Sequence, residues 1–231
     1  MPSDTADCAS AWPMEYNIID VFLDLLYPTR CILCREFLPP GRPSICPACQ
    51  QTMPLTENGG RRKGDYFSEC ISALYYEGDV VDAIHRFKFG GVQVYAPVFG
   101  ELIASCIYEQ LEGEYDILSW VPLDRRRRRQ RGYDQAELLA RNAGERLRRE
   151  PVTVLRKKPG VNPQSETGEP EKRKANIAGA YRVTDPALID GKRILLIDDV
   201  VTTGSTLSEC AKTLLMGGAE DVLCATLAST R

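Results

Sequence analysis

Beyond residue 66, apolar and polar positions follow two alternating patterns. Short, almost continuous apolar runs are typical of buried strands; they lie at residues 70–76, 117–121, 152–155, 194–197 and 222–227. Between these runs, apolar residues recur at helical spacing; they are Phe99, Leu102, Ile103 and Cys106, then Ala136, Leu139, Ala140, Ala143 and Leu147, and then Leu207, Cys210, Ala211, Leu214 and Leu215. Because strands alternate with helices, we expect an α/β domain with a mostly parallel sheet and helices on both faces.

The first 65 residues have a different pattern. Residues 1–13 are polar and predict a disordered leader, and the apolar spacing within 15–26 predicts a helix that Pro28 ends. The next segment is rich in Cys and Pro and is too short to form an apolar core of its own. A polar, glycine-rich stretch at 58–65 predicts a linker. We therefore expect three parts, namely the leader (1–13), a helix with a small cysteine module (14–60) and the α/β domain (66–231).

The composition of the chain limits the cellular compartment and the kinds of partner that we expect. The 231-residue chain has a net charge of −3, which argues against a generally basic nucleic-acid binder, although Arg125 to Arg129 form an uninterrupted basic run. No stretch approaches the roughly 18 apolar residues of a membrane helix, and the N-terminus lacks the basic start and apolar run of a secretory signal. These features predict a cytoplasmic protein without membrane insertion.

Four of the nine cysteines form two close pairs. Two residues separate Cys31 from Cys34 and Cys46 from Cys49, and eleven residues lie between the pairs. Four such thiolates can surround one tetrahedral Zn²⁺ and leave no open coordination position, as in structural zinc sites, and the metal supplies folding free energy that a short segment lacks. Four free thiols or a redox dithiol are the alternatives. Cysteines in apolar segments are expected in the core; they are Cys70, Cys106, Cys210 and Cys224.

An acidic pair follows the predicted strand at 194–197. Asp198 and Asp199 are placed at the carboxyl end of that strand, where open α/β sheets bind ligands. Residues 200–206 form a loop with four hydroxyl side chains and Gly204, and a helix begins after it. The free amides at the start of a helix favour a phosphate, and the acids suit sugar hydroxyls or a cation. A helix-capping box formed by Thr206 and Glu209 is the alternative explanation for some of the hydroxyls.

The segment from Leu196 to Thr206 (Leu-Ile-Asp-Asp-Val-Val-Thr-Thr-Gly-Ser-Thr) resembles the phosphoribosyl pyrophosphate loop of type I phosphoribosyltransferases. The resemblance implies that Asp198 and Asp199 hold the ribose 2′- and 3′-hydroxyls. It also implies that a run of loop residues wraps the 5-phosphate; these are Thr202, Thr203, Gly204, Ser205 and Thr206.

A second resemblance spans roughly residues 18–228 and points to the ComF/GntX group of competence-related proteins, with a competence protein ComFC-like arrangement. The two cysteine pairs belong to its pattern. Further matches are Val121-Pro122, Arg131-Gly132-Tyr133 and Gln135 of its pyrophosphate loop, Lys88 with Gly90-Gly91, and Gln164, Arg173 and Asn176 of its hood. Asp134 stands where the group usually has Asn, and Val161 stands where it usually has Thr.

The resemblance implies pyrophosphate contacts from Arg131, Gly132 and Lys88, and hood contacts from Gln164 and Arg173. A solvated charge run is the alternative for the arginines, and an ordinary surface lysine is the alternative for Lys88. The polar stretch at 159–174 is either a lid over the bound sugar phosphate or a disordered linker. His85 is expected to be structural, and Trp120 to be part of the core.

Three functions are compatible with these features. The first is a phosphoribosyltransferase that uses Mg²⁺, with oxygen ligands supplied partly by substrate phosphates, and an acceptor that no residue identifies. The second is a non-catalytic module of DNA uptake that contacts single-stranded DNA or a helicase-like competence protein. The third is a regulator that senses phosphoribosyl pyrophosphate. No general base can be assigned from the sequence.

Overall fold

The computed structural model of the chain describes residues 28–39, 44–159 and 179–231. Several sequence predictions lie outside the described residues. These are the leader at 1–13, the helix at 15–26, most of the stretch at 159–174, and the hood residues Gln164, Arg173 and Asn176.

The described residues form six strands and seven α-helices. The strands are β1 (Glu69–Tyr75), β2 (Ile117–Trp120), β3 (Leu155–Lys157), β4 (Tyr181–Val183), β5 (Arg193–Val201) and β6 (Asp221–Ser229). The helices are α1 (Pro47–Thr52), α2 (Asp79–Phe89), α3 (Ala96–Leu111), α4 (Arg125–Arg131), α5 (Gln135–Leu147), α6 (Pro186–Ile189) and α7 (Ser205–Met216). Two short 3₁₀ turns lie at Glu57–Gly60 and Gln93–Tyr95.

Four strands form a parallel sheet in the order β1-β6-β5-β2, and β3 pairs with β4 in a separate antiparallel ribbon. Buried apolar residues divide into two clusters. One includes Phe99 and Leu139 from helices α3 and α5, and the other includes Leu207 and Leu214 from α7. The mostly parallel α/β fold predicted from the alternation of periods is therefore confirmed.

The cysteine module lies against α2 and shares its core. Ile32 and Leu33 are buried in the same cluster as Ile71 and Phe87. The stretch at 58–65, predicted to be a linker, packs on the sheet, since Gly59 is buried and Arg62 forms a bridge with Cys70. The boundary between a module at 14–60 and a domain at 66–231 stays a prediction.

Two predicted boundaries were wrong. The acidic pair does not follow the strand but lies within it, because β5 continues to pair with β6 beyond Ile197, where Asp198 faces Thr226 and Val201 faces Ser229. The third short strand is at Leu155–Lys157 rather than at 152–155, because its partner for pairing is β4.

The structure differs from the sequence analysis at two helix ends as well. The arginine run, expected as part of the stretch that resembles a pyrophosphate loop, is helix α4, because Asp124 caps its first turn and Gly132 ends it with a φ of 83°. Thr206 and Glu209 do not form a capping box. The N-cap of α7 is Gly204, without a side-chain cap, and the Glu209 carboxylate instead accepts a hydrogen bond from the Gly179 amide.

In the ranges that the structure describes, no helix has both the length and the apolar character required to cross a membrane.

Candidate functional site

The carboxyl ends of β2 and β5 meet at one edge of the sheet. Trp120 at the end of β2 faces Ile197 of β5, so the segment after Trp120 lies beside Asp198 and Asp199. A cleft of about 370 Å³ opens there, and both carboxylates line it. Parallel strands place ligands at this edge, so the sequence prediction for the acidic pair and the position of the cleft agree.

The two carboxylates differ in their surroundings. The Asp199 amide donates to Asp198 Oδ1 at 2.8 Å, and Lys88 Nζ lies 2.8 Å from Asp199 Oδ1. Burial and the neighbouring Asp199 charge raise the pKa of Asp198 to about 8. Burial alone would lower the pKa of Lys88, but the Asp199 carboxylate raises it above its usual value, so Lys88 stays charged. The pair therefore presents one carboxylate matched by a cation and one that readily keeps its proton.

Residues 202–204 form the turn between β5 and α7. A small recess of about 80 Å³ lies inside it, lined by the turn, by Asp198 and by the first residues of α7. Within the described part of the chain, the amides of Thr202, Thr203 and Gly204 donate no hydrogen bond, and the Ser205 amide makes a long contact of 3.4 Å with Thr203 Oγ1. These groups are therefore available to an anion at the positive end of α7.

The shape of the turn depends on glycine and on a distant arginine. Gly204 has a φ of 73°, a conformation that residues with a side chain seldom adopt. Arg62 Nη1 donates to the Thr202 carbonyl at 3.0 Å, and its Nη2 donates to the Thr230 carbonyl. Arg62 thus holds the turn from outside. Nothing in its predicted linker segment pointed to that role, because the contact joins residues 140 positions apart.

Four cationic side chains line the same cleft as the acids, and together they are called the cationic wall. They are Lys88, Arg127, Arg131 and Lys157. Arg131 is fixed by a hydrogen bond to Gln135 Oε1 at 2.8 Å and by the Phe89 ring, whose centroid is 4.7 Å from its guanidinium carbon. Burial lowers the pKa of Lys157, which makes its ammonium easier to deprotonate than an exposed one. The cleft therefore suits a ligand with several negative charges.

The sequence identified some of these residues and missed others. Lys88 and Arg131 line the cleft together with Asp198, Asp199 and Thr206, whereas Gly132 ends α4 and is not among the lining residues. Sequence reasoning missed Lys157 and Tyr181, and it noted Arg127 only as a member of the basic run. Lys157 and Tyr181 come from paired strands on either side of the residues 160–178, so only tertiary structure brings them to the cleft.

Other sequence predictions concern residues near the cleft. His85 lines it from α2 and makes an edge contact with Phe89 at 5.8 Å between ring centroids. Asp134, where the resembled group usually has Asn, is buried; its carboxylate accepts from the Leu123 amide at 2.7 Å and from the Glu137 amide at 3.3 Å. Asp134 therefore shapes the loop and caps α5. Trp120 is 6% exposed, which confirms that it belongs to the core.

The four predicted zinc ligands converge. The Sγ atoms of Cys31, Cys34, Cys46 and Cys49 all lie within 4.8 Å of one another. Cys34 Sγ and Cys46 Sγ are 3.7 Å apart, close to the roughly 3.8 Å edge of a tetrahedron with Zn–S bonds of about 2.3 Å. The Cys46 and Cys49 amides point at Cys31 and Cys46 Sγ, each at 3.4 Å, and such N–H donors stabilise thiolates. The cluster fits one Zn²⁺ with no open position. Of the other cysteines in the described ranges, Cys70, Cys210 and Cys224 are fully buried, and Cys106 is half-buried.

Two families match the chain. Residues 130–231 match the phosphoribosyl transferase domain, and residues 22–74 match the double zinc ribbon domain. The second match and the four-cysteine cluster together support structural zinc.

Named relatives cover most of the chain. It is 29% identical over 235 residues to the DNA utilization protein YhgH of Shigella flexneri, covering 88% of this chain and 100% of the relative. It is 26% identical over 208 residues to the competence protein ComFC of Bacillus subtilis, covering 85% of this chain and 82% of that protein. The resemblance drawn from the sequence is confirmed by these relatives and by the two domain matches.

Among solved structures, the glutamine phosphoribosylpyrophosphate amidotransferase from B. subtilis, complexed with ADP and GMP, matches 58% of this chain at 18% identity with a TM-score of 0.41. The chain spans about a quarter of that protein, 26% of its length.

Proposed function

We propose that this chain, whose two domain matches and named relatives are consistent with the ComF family, binds phosphoribosyl pyrophosphate in the cleft at the carboxyl ends of β2 and β5. The observation that carries the proposal is the continuity of three kinds of surface. The recess at the start of α7, the acidic pair and the cationic wall adjoin one another, and Asp198 lines both the recess and the cleft.

Each surface matches one part of the ligand. The free amides of residues 202–204 and the hydroxyls of residues 202–206 match the 5-phosphate, with the Thr203 and Ser205 hydroxyls hydrogen-bonded to each other at 2.9 Å. Asp198 and Asp199 match the ribose 2′- and 3′-hydroxyls, because carboxylates accept hydrogen bonds from hydroxyl groups. Arg131, Lys88 and the newly located Arg127 match the pyrophosphate, whose charge they offset. Gln164 and Arg173, proposed as hood contacts, lie outside the described residues.

We propose that Mg²⁺ enters the cleft bound to the phosphoribosyl pyrophosphate rather than held by the two Asp side chains. Mg²⁺ prefers oxygen ligands and is commonly bound by substrate phosphates together with one or two carboxylates. Lys88 already occupies one oxygen of Asp199 at 2.8 Å, so a cation in this cleft would take its ligands mainly from pyrophosphate and ribose oxygens.

The test is calorimetry with phosphoribosyl pyrophosphate in the presence of Mg²⁺. We expect the variant with Asp198→Asn and Asp199→Asn to bind at least about 10-fold more weakly, since the hydrogen bond to the charged Asp199 acceptor, which contributes about 1.5–3 kcal/mol, is replaced by one to a neutral amide. Asp185→Asn is the matched control. Asp185 caps α6 outside the cleft, and Asn caps helices equally well. Unchanged affinity in the double variant would falsify the proposal.

A second measurement distinguishes binding of phosphoribosyl pyrophosphate from transfer of its phosphoribosyl group. Incubation with phosphoribosyl pyrophosphate and a panel of nucleobases, with detection of released pyrophosphate, tests for a phosphoribosyltransferase. Release with any base identifies an enzyme and its acceptor class. Intact binding without release favours a binding module or a sensor.

A second function is favoured by the outer face of α4. Arg125, Arg126 and Arg129 are exposed, while Arg127 and Arg131 line the cleft. Exposed guanidiniums that form no ion pair with other described residues suit a nucleic-acid backbone. The relatives' names refer to DNA utilization and to competence. We therefore propose single-stranded DNA as a second partner of α4, with a helicase-like competence protein as the alternative.

A further inference from the structure

Arg86 in the last turn of α2 reaches into the cysteine module. Its Nη2 donates to the carbonyls of Ile32 at 2.8 Å and Leu33 at 2.9 Å. Ile32 and Leu33 are the two residues between Cys31 and Cys34, so one guanidinium holds the turn that carries two of the proposed zinc ligands.

The next three residues of the same turn contact the cleft or the loop beside it. The Phe87 carbonyl accepts a hydrogen bond from the Tyr133 hydroxyl. Lys88 pairs with Asp199 at 2.8 Å, and the Phe89 ring lies under Arg131. Four consecutive residues of one helical turn thus join the cysteine module to the loop after α4, to the acidic pair and to the cationic wall.

The position of Arg86 depends on the turn between two of the cysteines. Arg86 is half-buried, and within the described ranges it forms no ion pair. Its two hydrogen bonds run from Nη2 to the Ile32 and Leu33 carbonyls, while its Nε is buried without a partner. A metal bound by Cys31 and Cys34 would fix the two residues between them, because both ends of the turn would then be ligands. Loss of the metal would loosen the carbonyls on which the guanidinium depends.

We propose that Arg86 is a positioning residue that couples metal occupancy of the four-cysteine cluster to the affinity of the cleft, by fixing the turn of α2 that presents Lys88. The inference rests on the proposed binding of phosphoribosyl pyrophosphate. Because backbone hydrogen bonds make a helical turn rigid, displacement at Arg86 displaces Lys88 two residues away. Removal of the metal and removal of the guanidinium should have the same consequence for ligand binding.

The experiment measures the affinity of the full chain for phosphoribosyl pyrophosphate with Mg²⁺, by calorimetry, in four proteins: wild type, Arg86→Ala, Lys88→Ala and the double variant. We expect Arg86→Ala to weaken binding about tenfold in the wild-type background and not to weaken it further in the Lys88→Ala background. A residue that only stabilised the fold would add its effect independently of Lys88. Arg86→Lys, which keeps the charge, should restore part of the affinity.

Arg146→Ala is the control for loss of an arginine. Arg146 pairs with Glu101 at 2.9 Å and does not line the cleft. Zinc content and the circular dichroism spectrum of each variant establish that it is folded. If Arg86→Ala does not fold, the same comparison is made by chelating zinc from the wild type and from Lys88→Ala. Chelation should then weaken binding about tenfold in the wild type alone.

The outcomes separate the two proposals. Absence of binding by the zinc-loaded wild type ends the proposed function and this inference with it. Binding by the wild type with additive effects of Arg86→Ala and Lys88→Ala, or with affinity unchanged after chelation, overturns the coupling and leaves the proposed function standing. Non-additive effects with partial rescue by Arg86→Lys support it.

Discussion

Asp198 and Asp199 are adjacent carboxylates, and among the described residues the ammonium group of Lys88 is the one cation that forms an ion pair with them. Lys88 contacts Asp199, while Asp198 accepts a backbone hydrogen bond from Asp199. Burial disfavours the charged form of Asp198, and the neighbouring Asp199 charge adds to the effect on its pKa. The ligand-free cleft therefore stores a proton on Asp198 near neutral pH.

This proton makes stability depend on pH. The pKa of Asp198 in the folded chain, about 8, is above the usual value of about 3.9 in an unfolded chain, so the folded state binds more protons between these values. Stability from this group is present in acid and is lost as the pH rises through about 8. We expect the melting temperature of the ligand-free chain to fall from pH 6 to pH 8.5, and to fall less in Asp198→Asn, measured by calorimetric scans.

Asp116 provides a control, because its pKa is shifted in the opposite direction. The guanidinium and the amide of Arg193 bind its carboxylate and lower its pKa to about 2. Its contribution to stability is therefore lost only in strong acid. Asp116→Asn should lower the melting temperature by a similar amount at pH 6 and at pH 8.5. An equal slope in wild type and Asp198→Asn would contradict the assignment of the proton to Asp198.

At the level of elements, helix α4 divides its arginines between two surfaces. The spacing of four residues puts Arg127 and Arg131 on the side of the cleft. Arg128 pairs with Glu137 at 3.1 Å, and Arg125, Arg126 and Arg129 remain exposed. The basic run is thus neither wholly a solvated surface nor wholly a ligand site.

Replacement of the exposed arginines should separate DNA binding from sugar-phosphate binding. The change is the joint substitution of Arg125, Arg126 and Arg129 by Ala. We expect weaker binding of single-stranded DNA. The slope of the logarithm of the affinity against the logarithm of the salt concentration should decrease in magnitude by about 2, since each lost phosphate contact contributes about 0.7. Affinity for phosphoribosyl pyrophosphate should be unchanged. Fluorescence anisotropy with a labelled oligonucleotide between 50 and 200 mM salt, a range typical for such measurements, gives the slope.

The matched control removes the same charge elsewhere. Arg146, Arg149 and Arg231 are exposed and do not line the cleft. Their joint substitution by Ala should leave the salt slope near that of the wild type. A larger loss in this control than in the α4 variant would place DNA on another surface, and a flat salt response in the wild type would exclude backbone binding altogether.

Sequence patterns predicted the presence of helices and strands better than the residues at which they begin and end. The apolar run at 194–197 predicted strand β5 because it is continuous. The extension of β5 through the two acids to Val201 depends on pairing with β6, which local sequence does not encode. The arginine run lacks any apolar face, so periodicity gave no sign of α4, and only the flanking Asp124 and Gly132 carried the signal. Residues of the site were predicted where a motif is contiguous. Arg62 and Lys157 were not predicted, since they come from segments that are distant from the motif in sequence.

At the scale of the molecule, the cysteine module and the sheet domain share apolar core. Ile32 is fully buried and Leu33 is 4% exposed, in a cluster that includes Phe87 of α2. Full burial of such side chains contributes about 1.5–3 kcal/mol each. Loss of the module's structure therefore exposes one face of α2 as well as the metal site.

Zinc removal should consequently lower the melting temperature of the whole chain by roughly 10 °C, given about 2–4 °C per kcal/mol for a protein of this size. Differential scanning calorimetry before and after chelation measures the shift, and re-added Zn²⁺ should reverse it. Cys34→Ser is the informative variant. Cys34 is the exposed member of the cluster, so the substitution removes a metal ligand with little loss of packing.

Cys34→Ser should melt near the temperature of the chelated wild type and should not respond to chelator. Cys106→Ser, at a half-buried cysteine outside the cluster, should keep the full response. If the main transition stays in place after chelation, and only a small separate transition disappears, then the module contributes nothing to the stability of the sheet. The shared core around Ile32 and Phe87 would then be too weakly packed to transmit metal loss to α2, and the coupling through Arg86 would lose its physical basis.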